Sequence, residues 1–383
     1  MEYTYPGYFY DFQCEASSCS DTCCAGWGIA IDDVSLEKYR KFPGFFGNRL
    51  RNSIDWETGT FEQYNRRCAF LNEENLCDIY SEAGPGMLCK TCTRYPRHYE
   101  EYENLREISL SLSCPAAAKL ILGTDEKMTF QSSCRETPEE EYEEFDFFLF
   151  TKLQEIRDYL YEVIQNRELS IEMRMALILS VTHDLQTRLD REQLYEVDDL
   201  LARYRKPAFL KTSGKKFGAF EEQKVERRIE LRKIWRRLYR LEVLRPDWTK
   251  FLKKHEQELY EVLSQDEYEE ACREFGAYYK DREYEYEQLL MYFVFTYFCG
   301  AVYDREAYSK VKFAVTSVML IRELDMAVWL ENGKTLSFED QIWIAHRYAR
   351  EVEHSDSNMD AVESMLLVED VYRLEKLLAG ILG

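Results

Sequence analysis

The sequence predicts a mainly α-helical protein, in which a loop-rich, metal-stapled cysteine-cluster domain precedes an α-helical bundle. Nine of the twelve cysteines lie in the first 114 residues, among turns marked by glycine and proline. Beyond residue 146, apolar residues recur at three- and four-residue spacing, which is the period of an amphipathic helix. We therefore expect a cysteine-rich metal or iron–sulfur domain over residues 1–135 and a helical domain over residues 136–383, with the acidic stretch 136–146 at the boundary.

The cysteines of the first part are spaced as metal ligands. They are Cys14, Cys19, Cys23, Cys24, Cys68, Cys77, Cys89, Cys92 and Cys114. Gaps of two, three and four residues let thiolates converge on one point, as in zinc sites and iron–sulfur clusters. Among the few histidines only His98 is close in sequence, so an all-sulfur site is expected, and zinc and a [4Fe–4S] cluster fit it equally well. Nine thiols exceed the four ligands that one metal centre needs. Either a second centre is present, or several of the thiols surround the ligands without binding the metal themselves.

Charge and hydropathy exclude several classes of protein. The net charge of −21 argues against a nucleic-acid binder and against binding to an anionic membrane surface. The longest apolar run, residues 289–302, is too short to span a bilayer. The first residues carry neither the basic nor the apolar segment of a signal peptide, so we expect a cytoplasmic protein in which clustered cysteines bind metal rather than form disulfides.

The periodicity places the individual elements. Short elements are predicted in the first part: a helix over residues 33–40, a strand around Ile29 and Ile31, and a strand or helix lead-in over residues 110–114. Helices are predicted over residues 147–165, 171–189, 195–204, 248–263, 267–279, 283–301 and 305–330. Asn332 and Gly333 are typical of a left-handed helix end, and Ser337 of the start of another helix.

Residues 220–244 are strongly basic and keep an apolar stripe. An amphipathic helix with a solvated basic face is the favoured interpretation of this segment. The alternative is a docking surface for an acidic partner or for the acidic groups of a cofactor.

Several nucleotide and catalytic motifs are missing from the sequence. It contains no C-x3-C-x2-C triplet, since Gly26 stands where the third cysteine is needed. It also contains no glycine-rich dinucleotide loop, no P-loop and no G-x-S-x-G elbow. Radical chemistry on the standard barrel, P-loop nucleotide binding and serine hydrolysis are therefore not indicated.

The phrase IAHRYAREVEHSDSN, residues 344–358, concentrates polar residues near the carboxyl end of the sequence. On a helix His346, Arg350 and Glu353 follow one edge of an apolar face. Such a line usually marks an ion-paired helix contact. The catalytic alternative makes Glu353 or His354 a base, or makes these residues with Arg350 an anchor for a substrate amine or a cofactor carboxylate.

Two phrases carry a resemblance to known families. CAFLNEENLCDIYSEAGPGMLCKTCTRYPR resembles the zinc- or iron-chelating cysteine-cluster family, with its C-x-F-L, C-x-I-Y and C-x-x-[YF]-P elements. DTCCAGWGIAID, together with YSKVKFAV and REVEHSDSN, resembles the flagellin lysine N-methylase family. The cluster motif falls on all of the nine cysteines named above except Cys89.

The resemblance implies a function. It implies methyl transfer from S-adenosylmethionine to lysine side chains of flagellin, by a protein with an iron–sulfur cluster in its cysteine domain. Methylating an amine requires a neutral lysine and close approach, and aromatic faces suit both an ammonium and a sulfonium. The alternatives are a metal-stapled protein-binding module without catalysis, and a metal storage or insertion protein.

Overall fold

The computed structural model describes residues 1–136, 142, 144–220 and 222–383. The acidic stretch expected at the domain boundary lies mostly outside these residues. Within them the chain is mainly helical, as predicted.

Short helices accompany the cysteines, and longer helices form the body of the protein. In the first part they are α1 (Asp33–Lys41), α2 (Gly44–Asn52), α3 (Asp78–Ala83), α4 (Lys90–Arg94) and α5 (Pro115–Leu122). The body contains α6 (Phe147–Ile164), α7 (Ile171–Asp190), α8 (Val197–Tyr204), α9 (Pro207–Gly218), α10 (Lys224–Trp235), α11 (Trp248–Gln257), α12 (Gln265–Tyr279), α13 (Tyr284–Tyr297), α14 (Ala301–Asp304), α15 (Ala307–Glu331), α16 (Phe338–Val352), α17 (Asp356–Val368) and α18 (Leu374–Leu382).

The body is organised around α15. Most of its residues are buried around the whole circumference, as expected of a helix that is apolar on every side. It packs against α7, α13, α16 and α17, and the same core reaches α10 and α18. The last turn ends before Gly333, whose φ of 66° is the predicted left-handed conformation. Helix α16 then starts with a capping box in which Ser337 and Asp340 exchange hydrogen bonds.

A mixed four-stranded sheet is the main departure from the sequence prediction. Its strands are β1 (Glu2–Pro6), β6 (Arg97–Tyr102), β7 (Leu105–Leu110) and β8 (Phe130–Cys134), in the order β6-β7-β1-β8. Strand β1 is parallel to β7, with Tyr3 opposite Arg106, and antiparallel to β8. The pairing partners of β1 lie more than 100 residues away in sequence, so no local pattern reveals them.

Two short ribbons complete the cysteine-rich part. They are β2 (Ile54–Asp55) with β3 (Thr60–Phe61), and β4 (Gln63–Tyr64) with β5 (Arg67–Cys68). The strand predicted around Ile29 is reduced to one bridge between Ala30 and Thr60.

The cysteine-rich part has a small core of its own, to which Ile29, Tyr39, Phe61 and Phe70 belong. Strands β1 and β7 pack with the first residues of α5 in a second small core. The last residues of α5, in contrast, lie in the large core with α13 and α16. The boundary near residue 135 remains a prediction, since apolar contacts of the large core cross it.

The predicted helices of the body are confirmed with shifts of a few residues at their ends. The segment predicted over residues 248–263 is α11 followed by a π-helical turn, Glu258–Val262. The basic segment 220–244 forms α10 and then a short 3-10 helix, Arg236–Arg240. Among the described residues, no helix is both long and apolar enough to cross a membrane.

Candidate functional site

A cavity of about 710 Å³ lies where the cysteine-rich part meets the end of α16. Its walls come from regions that are far apart in sequence. Trp27, Tyr95 and His98 line one side, and Tyr297, Glu353 and His354 line the other. The cavity therefore gathers aromatic and carboxyl side chains. Glu353 and His354 are two of the three residues that the sequence predicted as catalytic.

The connection between α16 and α17 holds Glu353 and His354 in the cavity wall. The backbone N–H groups of both residues donate to the carbonyl oxygen of Ala349, at 2.8 and 3.1 Å. Ser355 then caps α17 by accepting from the N–H of Asn358. With the backbone held on both sides, the two side chains project from a fixed turn.

The Glu353 side chain is half-buried, and its carboxyl group is held by hydrogen bonds on one side. Its Oε1 atom accepts a hydrogen bond of 2.5 Å from the Tyr292 hydroxyl and a longer one, 3.4 Å, from Ser111. The backbone N–H of Leu112 donates to the same Tyr292 hydroxyl at 3.1 Å, which fixes its direction. The second oxygen, Oε2, is buried without a hydrogen-bond partner among the described residues.

Burial therefore controls the protonation of Glu353. It raises the pKa of this carboxyl to about 7, although the hydrogen bond from Tyr292 and the nearby His98 act in the opposite direction. A carboxyl group with this pKa exchanges its proton readily near neutral pH, as a general base requires.

His354 lies between two aromatic rings as a neutral imidazole. Its ring centre is 4.3 Å from that of Trp27 and 5.3 Å from that of Tyr95, both with edge-to-face geometry. Burial, with Arg350 and Arg245 nearby, lowers the pKa of His354 to about 3. His354 thus contributes an uncharged wall to the cavity at neutral pH.

The third predicted residue, Arg350, lies beneath the cavity rather than in its wall. The guanidinium is buried and donates to the carbonyl oxygens of Asp21, Thr22 and Ala25, at 3.1, 2.9 and 2.9 Å. These carbonyls belong to the turn that carries Cys23 and Cys24. Arg350 therefore joins α16 to the cysteine-bearing turn, which agrees with the helix-contact interpretation of this residue.

Five cysteines come together next to this turn, and we call them the inner thiol group. They are Cys24, Cys68, Cys77, Cys89 and Cys92. The backbone N–H of Cys68 donates to the carbonyl of Cys24 at 2.8 Å, which sets these residues side by side. Cys92 interacts electrostatically with Cys89, and Cys68 interacts electrostatically with Cys24, Cys77 and Cys89.

The four remaining predicted ligands form a looser, outer thiol group. They are Cys14, Cys19, Cys23 and Cys114. Cys114 interacts electrostatically with Cys19 and Cys14, and Cys23 interacts electrostatically with Cys24, so the two groups adjoin. The exposure of these thiols ranges from the buried Cys114 to the exposed Cys14.

The thiols are close together but do not form a closed set of ligands. Within residues 1–136, 142, 144–220 and 222–383, no three His, Cys, Asp or Glu side chains are placed to hold one metal ion. Cys77, Cys89 and Cys114 are the N-cap residues of α3, α4 and α5. Burial raises the pKa of Cys77 and that of Cys114, and backbone N–H groups oppose this effect only in part. The pKa of Cys89 is lowered by its interaction with Cys92, so Cys89 is the one of these three thiols whose ionised form is favoured.

The basic segment around α10 is occupied by partners within the chain. Arg232 and Arg236 donate to Glu256, whereas Arg237 and Arg240 donate to Glu369. Its arginines thus hold α10 to neighbouring elements of the body. This finding disfavours the docking-surface interpretation of residues 220–244.

Sequence reasoning missed several residues of the cavity. Trp27 lies in the phrase DTCCAGWGIAID, next to the predicted strand, and Tyr95 lies in a cysteine motif. Neither residue was predicted to line a site. Tyr292 was hidden in the apolar run of α13, where a tyrosine among phenylalanines suggests packing. A tyrosine in a fully buried helix is the available signal, because its hydroxyl requires a polar partner.

Comparisons with known proteins agree with the resemblance seen in the sequence. Residues 157–380 match the family described as "FliB lysine N-methylase C-terminal domain". Over 134 residues the chain is 30% identical to the flagellar biosynthetic protein FliU of Salmonella muenchen, a match that covers 33% of this chain and 79% of that protein. It is 29% identical, over 134 residues, to the lysine-N-methylases of Salmonella choleraesuis and Salmonella typhimurium.

These matches cover only part of the length of the lysine-N-methylases. The matched region spans only 33% of each of the two lysine-N-methylases. No solved structure matches the chain. The family model, however, covers more than half of the sequence, from α6 to α18. The chain therefore belongs to the FliB lysine N-methylase family.

Proposed function

We propose that this chain is a cytoplasmic protein-lysine N-methyltransferase that transfers methyl groups from S-adenosylmethionine to lysine side chains of flagellin. The observation that carries the proposal is the buried carboxyl of Glu353 in an aromatic cavity. Membership of a lysine N-methylase family and the flagellar name of one relative support it.

The cavity has the chemistry that a lysine side chain requires. The rings of Trp27, Tyr95 and Tyr297 offer faces to a cation, and Glu242 and Asp356 add negative charge among the lining residues. A lysine ammonium entering this space is attracted by the carboxylates and held by the rings. The overall charge of −21 acts in the same direction on a lysine-bearing partner.

Glu353 supplies the base. A lysine ε-amine attacks a methyl group only when it is neutral, so one N–H bond must break first. The proton passes to the Glu353 carboxylate, whose raised pKa makes this transfer less unfavourable than it is to an ordinary carboxylate. The amine lone pair then forms the N–C bond while the S–C bond of the methyl donor breaks. S-adenosylmethionine supplies the electrophilic methyl group and leaves as a neutral thioether.

We further propose that the cysteine-rich part holds a [4Fe–4S] cluster, with zinc as the alternative metal. The inner thiol group is the favoured location, because it offers an all-sulfur donor set with two sulfurs at helix N-caps. The nine cysteines of the two groups remain the predicted set from which ligands are drawn. A centre held there would fix the turn that carries Trp27, since the Trp27 indole N–H donates to the carbonyl of Cys23 at 2.6 Å.

The test is methylation of purified flagellin. The anaerobically prepared protein is incubated with S-adenosylmethionine and flagellin, and the mass of flagellin is measured. We expect additions of whole methyl units with the unmodified protein and a loss of at least about 100-fold in rate with Glu353→Gln. No addition by the unmodified protein, with flagellin nevertheless captured, would instead support a binding module.

A matched control lies two residues away. Burial also raises the pKa of Glu351 to about 7, but Glu351 accepts a hydrogen bond from the backbone N–H of Leu244 at 2.8 Å and does not line the cavity. Glu351→Gln should therefore retain the methylation rate. An equal loss in both variants would show that a buried negative charge, and not the base in the cavity, matters.

A further inference from the structure

A histidine–carboxylate pair faces the same cavity from strand β6. His98 and Glu100 are two residues apart, so their side chains leave the same face of the strand. The His98 Nε2 atom lies 2.6 Å from Oε1 of Glu100. The pair is partly open to solvent: the side chain of His98 is 37% exposed and that of Glu100 is 25% exposed.

The groups around His98 favour its protonated form. Glu100 acts from the same strand and Glu353 from the end of α16, and together they raise the pKa of His98 against the opposing effect of burial. The ring of Tyr297 lies 5.9 Å from the imidazole, and Arg97 and His354 also line the cavity. His98 and Glu353 line the same cavity, so a proton that leaves Glu353 meets a titratable ring before it reaches solvent.

The proposed methyl transfer produces a proton that must leave the cavity. A lysine ammonium and a sulfonium react to give a methylammonium, a neutral thioether and one free proton, so charge balances only when the proton departs. The proton first resides on Glu353, whose Oε2 atom is inaccessible to solvent. Until this carboxyl is ionised again, it cannot serve a second methyl transfer.

We propose that His98, oriented by Glu100, carries this proton from Glu353 to solvent. The inference rests on the proposed function. The His98 imidazolium, held by the Glu100 carboxylate, first releases a proton to water. The O–H bond of the Glu353 carboxyl then breaks as an N–H bond forms on the neutral His98 ring, which restores the imidazolium. His98 acts through Glu353, whereas Glu100 positions the imidazole and stabilises its cation.

His354 does not serve this purpose, although it is closer to Glu353 in sequence. Arg350 and Arg245 interact electrostatically with it and, with burial, hold its pKa near 3. A proton on His354 is therefore strongly disfavoured at neutral pH. Of the two cavity histidines, only His98 has a carboxylate partner within hydrogen-bond distance.

Chemical rescue tests the proposal. In the full-length protein, His98→Ala should lower kcat for flagellin methylation roughly 10- to 100-fold, with little change in KM, because binding is retained and proton exit is lost. Added imidazole should restore most of the rate, and a series of small buffers should restore it in the order of their pKa values. Monomethyl-lysine should accumulate relative to dimethyl-lysine, since regeneration of the base limits the second transfer.

The chain offers a control pair away from the cavity. His183 Nδ1 lies 3.7 Å from a carboxylate oxygen of Asp184 on α7, and neither residue lines the cavity. His183→Ala and the unmodified protein should show no response to imidazole. Full activity of His98→Ala, or a loss that no buffer restores, would overturn the relay.

Two further results keep the outcome decisive. If His98→Ala does not fold, Glu100→Gln is the second variant, because it retains the imidazole. Its methylation rate should depend on added buffer in the same way. A rate for Glu100→Gln that equals that of the unmodified protein and does not respond to buffer would overturn the proposal. If the unmodified protein transfers no methyl group, the proposed function itself is wrong. If Glu353→Gln is inactive and His98→Ala is fully active, only the relay is wrong.

Discussion

Replacing Glu353 by glutamine should make the protein more stable while removing its activity. The pKa of this carboxyl is raised from 4.5 to about 7 in the folded protein, mainly by burial. The folded protein therefore binds this proton more tightly than the unfolded chain does. The carboxyl costs no stability below pH 4.5, costs more as the pH rises towards 7, and reaches a constant cost above that pH.

The magnitude follows from the two pKa values. Between pH 5 and pH 8 the free energy of unfolding of the unmodified protein should fall, relative to that of Glu353→Gln, by about 2.5 kcal/mol. The amide keeps the shape of the side chain and accepts the Tyr292 hydrogen bond without carrying charge. The difference in the free energy of unfolding between the two proteins is thus assigned to ionisation of the Glu353 carboxyl.

Denaturant unfolding at several pH values between 5 and 8 measures this quantity, and methylation rates are taken on the same samples. The unmodified enzyme should gain rate with pH up to about pH 7, because the base must be ionised, and then level off. Glu351→Gln should show a comparable gain in stability and keep its activity. Parallel stability curves for the unmodified protein and Glu353→Gln would refute the assignment of a raised pKa to this carboxyl.

Three further substitutions test the surroundings of the cavity. Trp27→Ala should raise KM for flagellin by roughly 10-fold in steady-state assays, because an aromatic face for the ammonium is lost, whereas Trp343→Ala, a partly exposed position on α16, should not. Cys68→Ser should lower the iron and sulfide content measured after anaerobic purification, and the exposed Cys134 provides the control whose replacement should leave it unchanged. Arg350→Met should destabilise the protein by on the order of 3 kcal/mol, since three carbonyls lose their buried donor, and should speed hydrogen exchange in residues 21–25 before the helical body opens. An unchanged iron and sulfide content in Cys68→Ser would contradict a metal centre at the inner thiol group. Unchanged hydrogen exchange in residues 21–25 of Arg350→Met would contradict the role of Arg350 in holding that turn.

The helices of the body could be predicted because apolar spacing and capping residues are local features of the sequence. Apolar spacing defined α6, α7, α12 and α15, and the capping residues marked where α16 begins. Glu353 and His354 were identified as candidates because polar residues are concentrated in residues 344–358, along one edge of an apolar helical face. That the two side chains reach one cavity depends on the turn after α16, which periodicity does not describe.

The remainder of the site depends on contacts between distant residues. Nothing near Trp27 indicates that its ring will meet His354, more than 300 residues further along the chain. The sheet was missed for the same reason, because β1 pairs with strands that follow it by about 100 residues. The hydrogen-bond partners of Arg350 could not be predicted either. A helical projection gives the face of α16 on which Arg350 lies, but not the carbonyl groups to which it donates.

The division of the cavity between Trp27 and Glu353 has a consequence for the order of events during protein synthesis. Translation makes Trp27 early and Glu353 more than 300 residues later. Under the proposed function, a nascent polypeptide that has folded only its sulfur-rich part lacks the base with which to modify a neighbouring lysine. Methyl transfer then awaits the docking of α16 against the cysteine-bearing turn, so activity depends on synthesis having passed that helix.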